Sequence, residues 1–153
     1  MAYTTINKSS LHMNTKLYTG NAGTQAVTGV GFQPDWCWFK ARNNTDTHAI
    51  FDSVRGATKR IIPNNSTAEG TQSNGLTSFD SDGFTVGDAG ITNQNYNYAS
   101  WNWKAGTSFT NDASSTGIGT IDSTGSVNQD AGFSICSYTG TGSNGTVKHG
   151  LNS

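Results

Sequence analysis

Clusters of turn-forming residues break this chain at short intervals. NNTDT, PNNSTAEG, SDG and NDASSTG stand between short apolar or alternating runs, at roughly the 8–12-residue spacing typical of an all-β sandwich or barrel. No window of more than about ten residues repeats apolar positions at the helical period. Strands are expected over residues 16–19, 26–31, 35–42, 48–54, 58–62, 76–79, 84–87, 97–104, 118–122 and 132–139. Thr, Ser, Asn and Gly supply 74 of the 153 residues, and that mixture fits because Gly, Asn and Ser close turns while Thr suits strands. The expected fold is an all-β antiparallel sandwich with little or no helix, in a chain long enough for one core.

Charge and hydropathy exclude other classes. Nine basic and ten acidic residues give a net charge of −1, with no basic cluster larger than Lys59-Arg60. Nucleic acid is not an expected partner, since a phosphate backbone is held by a basic stripe. The longest apolar run is WCWF, Trp36 to Phe39, far short of the roughly 20 residues that span a bilayer, so no membrane insertion is expected. The opening MAYTTINKSS has no apolar signal-peptide core, and export through a signal pathway is not expected. Cys37 and Cys136 lie in apolar strand-like stretches. Free buried thiols are the expectation, with a bridge between adjacent strands as the alternative.

Three stretches carry local detail. LTSFDSDGFTV places Ser81-Asp82-Gly83 between Phe79 and Phe84, a hairpin loop in which Gly supplies a positive φ, flanked by Leu76, Phe79, Phe84 and Val86. In YNYASWNWKAG, the aromatics Tyr96, Tyr98, Trp101 and Trp103 change parity after Tyr98. Either a bulge lies near Ala99-Ser100 or the aromatics divide between the two faces. In DWCWFKAR, Cys37, Phe39 and Ala41 share one face, which reads as core, and Trp36, Trp38, Lys40 and Arg42 share the other. That second face fits a cation–π ladder, a platform for a sugar ring, or a second core layer with cations at its rim.

Candidate chemistry is sparse. Glycoside hydrolysis needs two carboxylates across the scissile bond, and the chain has one Glu, Glu69, in a loop. Asp pairs among Asp52, Asp80, Asp82 and Asp88 remain, but most sit in turn contexts where Asp bonds backbone. His12, His48 and His149 belong to no nucleophile motif and are expected at the surface. No enzyme is expected; a small hydrolase of surface polysaccharide is the alternative. FDSDGFTVGD offers Asp80, Asp82 and Asp88 as a weak Ca²⁺ site, although a turn explains the same letters, and no cofactor is expected otherwise. In IFDSVRGATKR, Asp52 faces away from Phe51 and can meet Arg55 or a cross-strand Arg42. Trp36, Trp38, Lys40, Arg42, Asp52 and Arg55 are therefore the candidate binding residues.

The order TKLYTGNAGTQAVTGVGFQPDWCWFKARNNTDTHAIFDSVRGATKRI, LTSFDSDGFTVG, YASWNWKAG resembles the β-sandwich module of structural proteins in tailed phages, especially marine and cyanobacterial ones, over residues 15–140. The resemblance implies a laminin-G or concanavalin-like jelly roll, lectin-like, in a non-catalytic virion protein of a tail fibre, other appendage or capsid surface. It implies other virion proteins and further copies as partners, host-surface glycan as a possible ligand, and assembly in the bacterial cytoplasm into the virion. Such modules are commonly followed by a second copy that opens on a strand like GFSICSYTG, residues 132–140. Here Tyr138-Thr139-Gly140 repeats Tyr18-Thr19-Gly20, and Val147 falls on Val27. The expected organisation is an N-terminal lead over 1–14, a sandwich over 15–131, and terminal strands over 132–153. Three readings of the terminal strands follow: the start of a longer chain's second module, an extra strand of the first sandwich, or a strand that pairs with a neighbouring subunit.

Overall fold

Strand β3 runs from Trp36 to Ala41 in the computed structural model, which describes residues 6–152; the first five residues of the lead lie outside the described residues. The strand alternates as its letters require, with Cys37, Phe39 and Ala41 buried and Trp36, Trp38 and Lys40 half-buried on the opposite side. Because successive side chains point to opposite faces, one strand can seal a core and still present a second surface.

The chain divides into two compact units, one spanning Lys8–Lys104 and the other made of residues 105–152 with residues 6–7. The first begins with a 3₁₀ turn, Ser9–Leu11. Strands β1 (Met13–Thr19), β2 (Gln25–Thr28), β3 and β4 (Ala49–Asp52) follow. Next come a short ribbon of β5 (Lys59–Arg60) and β6 (Gly70–Thr71), the hairpin of β7 (Leu76–Asp80) and β8 (Gly83–Val86), one turn of helix α1 (Gly90–Asn93), and β9 (Asn97–Trp103). They form an antiparallel sheet β1-β9-β3-β4 and a second sheet β2-β8-β7. Cys37, Phe39, Ala49 and Phe51 from the first sheet meet Val27, Leu76, Phe84 and Val86 from the second in one buried cluster. Phe39 packs edge-on against Phe51 at 5.9 Å and against Phe84 at 5.0 Å. Each such buried side chain contributes roughly 1.5–3 kcal/mol by leaving water, and the fold is the antiparallel β-sandwich that the spacing of turns implies.

Several local expectations hold. The β7–β8 loop is Ser81-Asp82, closed by Gly83 at φ +152°, where a Cβ would run into the backbone oxygen of Val27. In β9 the aromatics divide between faces, with Tyr98 buried inside and Trp101 and Trp103 outside. Its register against β3 is regular, so no bulge is needed.

The second unit departs from expectation. Residues 107–117, read as a loop, form strand β10 (Thr107–Asn111) and the turn of helix α2 (Ala113–Thr116). Residues 118–122, read as a strand, contribute only the bridge residue Ile121, and β11 is Ser123–Asn128. The third strand, β12 (Phe133–Tyr138), completes the antiparallel order β10-β11-β12. Residues 133–138 of the tail therefore join this sheet beside β11. The misreading has a physical origin: TSFTN and STGSVN hold one large apolar residue each, so neither shows an alternating pattern. Their fit comes from Phe109, whose ring lies 2.5 Å from where a Cβ on Gly125 would be and 2.6 Å from one on Gly150. Val147 then bridges Ile121 in parallel, drawing the last residues back along the sheet.

Candidate functional site

The outer face of the four-stranded sheet is built by register. Trp36 stands opposite Trp103 and Trp38 opposite Trp101 across the β3–β9 pair. Directly opposed residues share a face, with Cβ atoms about 5 Å apart, so the two Trp-x-Trp runs make one four-tryptophan patch. Trp36 lies 4.6 Å from Trp103 and 5.9 Å from Trp38, both edge-on, and Trp38 lies 5.9 Å from Trp101. Beyond β9, Met13 and Thr15 of β1 stand opposite Trp103 and Trp101, and Leu17, 58% exposed, stands opposite Ala99. Of these tryptophans only Trp36 and Trp38 figure among the sequence candidates; the i, i+2 spacing of Trp101 and Trp103 was the available signal.

Polar groups frame the patch. The Trp38 indole N–H donates to His48 Nδ1 at 2.9 Å, and the two rings lie 5.6 Å apart. An indole nitrogen only donates, so this bond requires His48 with a bare Nδ1. Burial, and then the nearby Lys40 charge, lowers the His48 pKa and favours that neutral form. His48 is thus a half-buried partner of Trp38 and not the plain surface residue expected. Lys40 donates to the carbonyl oxygens of Ala41 and Asn44 at 2.6 and 2.8 Å, tying the loop 43–48 to the strand end. Arg42, beyond the strand, is exposed, and the patch does not recruit it.

On the other side, Asp52 stands opposite Trp36 and is 4% exposed. Of its two possible partners it takes Arg55, accepting from the backbone N–H at 2.9 Å and from Nε at 2.6 Å. Arg55 also donates to Glu69 at 3.0 Å. One guanidinium therefore joins two carboxylates and pins the loop carrying Glu69 to the end of β4. The largely buried position favours this charge-assisted pair over a surface ion pair of negligible worth.

The weak Ca²⁺ site does not assemble. Asp82 accepts from the backbone N–H groups of Gly31 at 2.7 Å and Gly29 at 3.0 Å, which hold its carboxyl below the usual range. Asp80 accepts from Ser78 and Thr85 hydroxyls, both at 2.7 Å, and Asp88 from Asn74 at 2.6 Å. Among the described residues no group of three or more His, Cys, Asp or Glu could hold a metal. Asp80 is spent within its own hairpin, whereas Asp82 and Asp88 are spent on the Gly29–Gly31 turn and on Asn74 of another loop. Cys37 and Cys136 are free thiols. Cys37 is fully buried, its pKa pushed well up by burial, whereas Cys136 is only half-buried.

Fold and face together define a β-sandwich with four half-buried tryptophans on the outer side of one sheet. The chain belongs to the family described as a domain of unknown function, DUF7483, whose model matches residues 8–153. Comparison with curated proteins and with solved structures found no match.

Proposed function

We propose that this protein is a non-catalytic structural component of a tailed-phage virion, in an appendage or on the capsid surface, where it serves particle architecture and attachment to the host surface. The supporting observation is the four-tryptophan face. A sandwich already closed by Phe39, Phe51 and Phe84 has no internal need for four indoles on its outer side. Trp is enriched where one protein surface meets another, because it brings large contact area with few torsions to freeze. The ties from Lys40 and Arg55 to neighbouring loops keep the patch preformed, which lowers the ordering cost of contact. The resemblance of the order of sequence blocks to phage modules supports the virion context. Many copies on one particle would turn weak glycan contacts into firm attachment.

The test is incorporation. Mass spectrometry of purified particles should find the wild-type chain, and Trp101→Ser, which removes an outer indole and leaves the core cluster intact, should lower its abundance several-fold. A chain absent from purified particles would overturn the proposal.

A further inference from the structure

The tripeptide Ser-Asn-Gly occurs twice, at Ser73-Asn74-Gly75 and at Ser143-Asn144-Gly145, and no other asparagine in the chain precedes a glycine. An asparagine followed by glycine is chemically labile. With no Cβ in the way, the glycine amide nitrogen can reach the preceding carboxamide carbon and close a cyclic imide. Closure needs that N–H free of other bonds and the carboxamide free to swing onto it, a near-attack geometry that neighbouring groups grant or deny.

The two copies differ in both respects. In the first, the Gly75 N–H donates to the Gln72 carbonyl at 3.0 Å, and the Asn74 and Gly75 carbonyls accept from the Ala89 and Gly87 N–H groups at 3.0 and 2.9 Å. The Asn74 amide nitrogen donates to Asp88 at 2.6 Å, and its oxygen accepts from the Gln72 amide at 2.5 Å. Gly75 is buried, with Phe51 2.9 Å from where its Cβ would be. In the second copy, every residue from Tyr138 to Thr146 is exposed, and residues 139–146 form neither strand nor helix. Among the described residues, neither the Asn144 side chain nor the Gly145 N–H has a hydrogen-bond partner.

We propose that Asn144 is a site of spontaneous deamidation, and that the fold protects Asn74, its twin in sequence, from the same reaction. The Gly145 nitrogen loses its proton to solvent and bonds to Asn144 Cγ; the Cγ–Nδ2 bond breaks, and the side-chain nitrogen takes up a proton and leaves as ammonia. Water then opens the imide. Opening at Cγ gives aspartate, and opening at the main-chain carbonyl gives isoaspartate, whose backbone runs through Cβ and is longer by one atom. Water is the only co-reactant, and nothing is oxidised or reduced. Either product adds a negative charge to a chain of net charge −1. The change falls just ahead of the contacts that return the tail to the second unit's sheet. There the Thr146 N–H donates to the Thr120 hydroxyl at 2.9 Å, its carbonyl accepts from the Thr120 and Ile121 N–H groups at 2.9 and 3.2 Å, and Val147 bridges Ile121. With age the protein therefore becomes heterogeneous in charge and in backbone length at this loop, while the turn at Asn74 stays as synthesised.

The test holds the purified full chain for weeks in mildly alkaline buffer and follows both sites by peptide mass spectrometry, with electron-transfer fragmentation to tell aspartate from isoaspartate. Acid should accumulate at residue 144 roughly a hundredfold faster than at residue 74. A parallel sample in concentrated urea should lose that preference, because the unfolded chain presents the same Ser-Asn-Gly letters at both places. Asn144→Gln, whose longer side chain closes a ring far more slowly, should remove most of the acidic species that builds up on ion exchange. Equal rates at the two sites in the folded chain, or no acid at residue 144, overturn the proposal. So does a preference for residue 144 that persists undiminished in urea, since the fold would then not be its cause, or an acidic species that Asn144→Gln leaves unchanged.

Discussion

Around Gly20 the chain is closed on every side, and around Gly140 it is open. The first follows Tyr18-Thr19 and the second Tyr138-Thr139, the same letters at the ends of β1 and just after β12. A Cβ on Gly20 would strike the Gln94 carbonyl and lie 2.9 Å from Asn93 Oδ1, whereas one on Gly140 would meet nothing within 4 Å. Asn93, fully buried, donates to Gly87 at 2.9 Å and to Asn21 at 3.0 Å and accepts from the Asn21 N–H at 2.9 Å. The Tyr18 hydroxyl donates to Thr92 at 2.5 Å. Helix α1 is thus a lid that locks the first turn, and the described part of the second unit has no counterpart. One motif serves stability in the first unit and exposure in the second; its surroundings decide which.

The largest expected effect breaks or confirms that contrast. Tyr18→Ala removes a stacked, largely buried ring and should lower stability by about 3 kcal/mol, while Tyr138→Ala should change it by less than about 0.5 kcal/mol. Urea unfolding followed by far-UV circular dichroism, to which the strands of both units contribute, reads this. Equal losses would mean that the two turns share one environment. Gly20→Ala should be next, at about 2 kcal/mol from overpacking against backbone, with Gly140→Ala near zero by the same assay.

The smallest effect concerns the framed tryptophan face. Folding lowers the His48 pKa, so the unfolded chain binds a proton more readily than the folded one. His48's contribution is fully present above its unfolded value of about 6.5 and is lost as pH falls through that value toward the folded one. Thermal melts between pH 7.5 and pH 5 should show a decline that His48→Gln reduces. A decline of the same size in the variant would assign it to other groups.

How far the sequence speaks follows from where apolar residues concentrate. DWCWFKAR declares its two faces because every second letter is large and apolar or cationic; the core face forms as read, and the opposite face forms without Arg42, which lies beyond the strand. The 76–86 hairpin is legible for the same reason, together with its Gly83 turn. TSFTN and STGSVN are not, because their packing rests on one ring and two glycines that meet only in three dimensions. At the site, Asp52 had two possible partners in sequence and the turn after β4 selects Arg55. The Trp38–His48 bond lies ten residues apart in a chain full of hydroxyls and amides, and nothing in the letters singles it out. The acidic run at Asp80–Asp88 resembled a metal loop because carboxylates that cap turns and carboxylates that bind ions are written alike. Only the positions of the Gly29 and Gly31 N–H groups separate the two cases.

Density for this chain in an intact particle at near-atomic resolution tests the proposed role most directly. The account holds if Trp36, Trp38, Trp101 and Trp103 lie against a neighbouring virion protein. It is contradicted if the chain is missing from the particle, or if the tryptophan face stands bare in solvent.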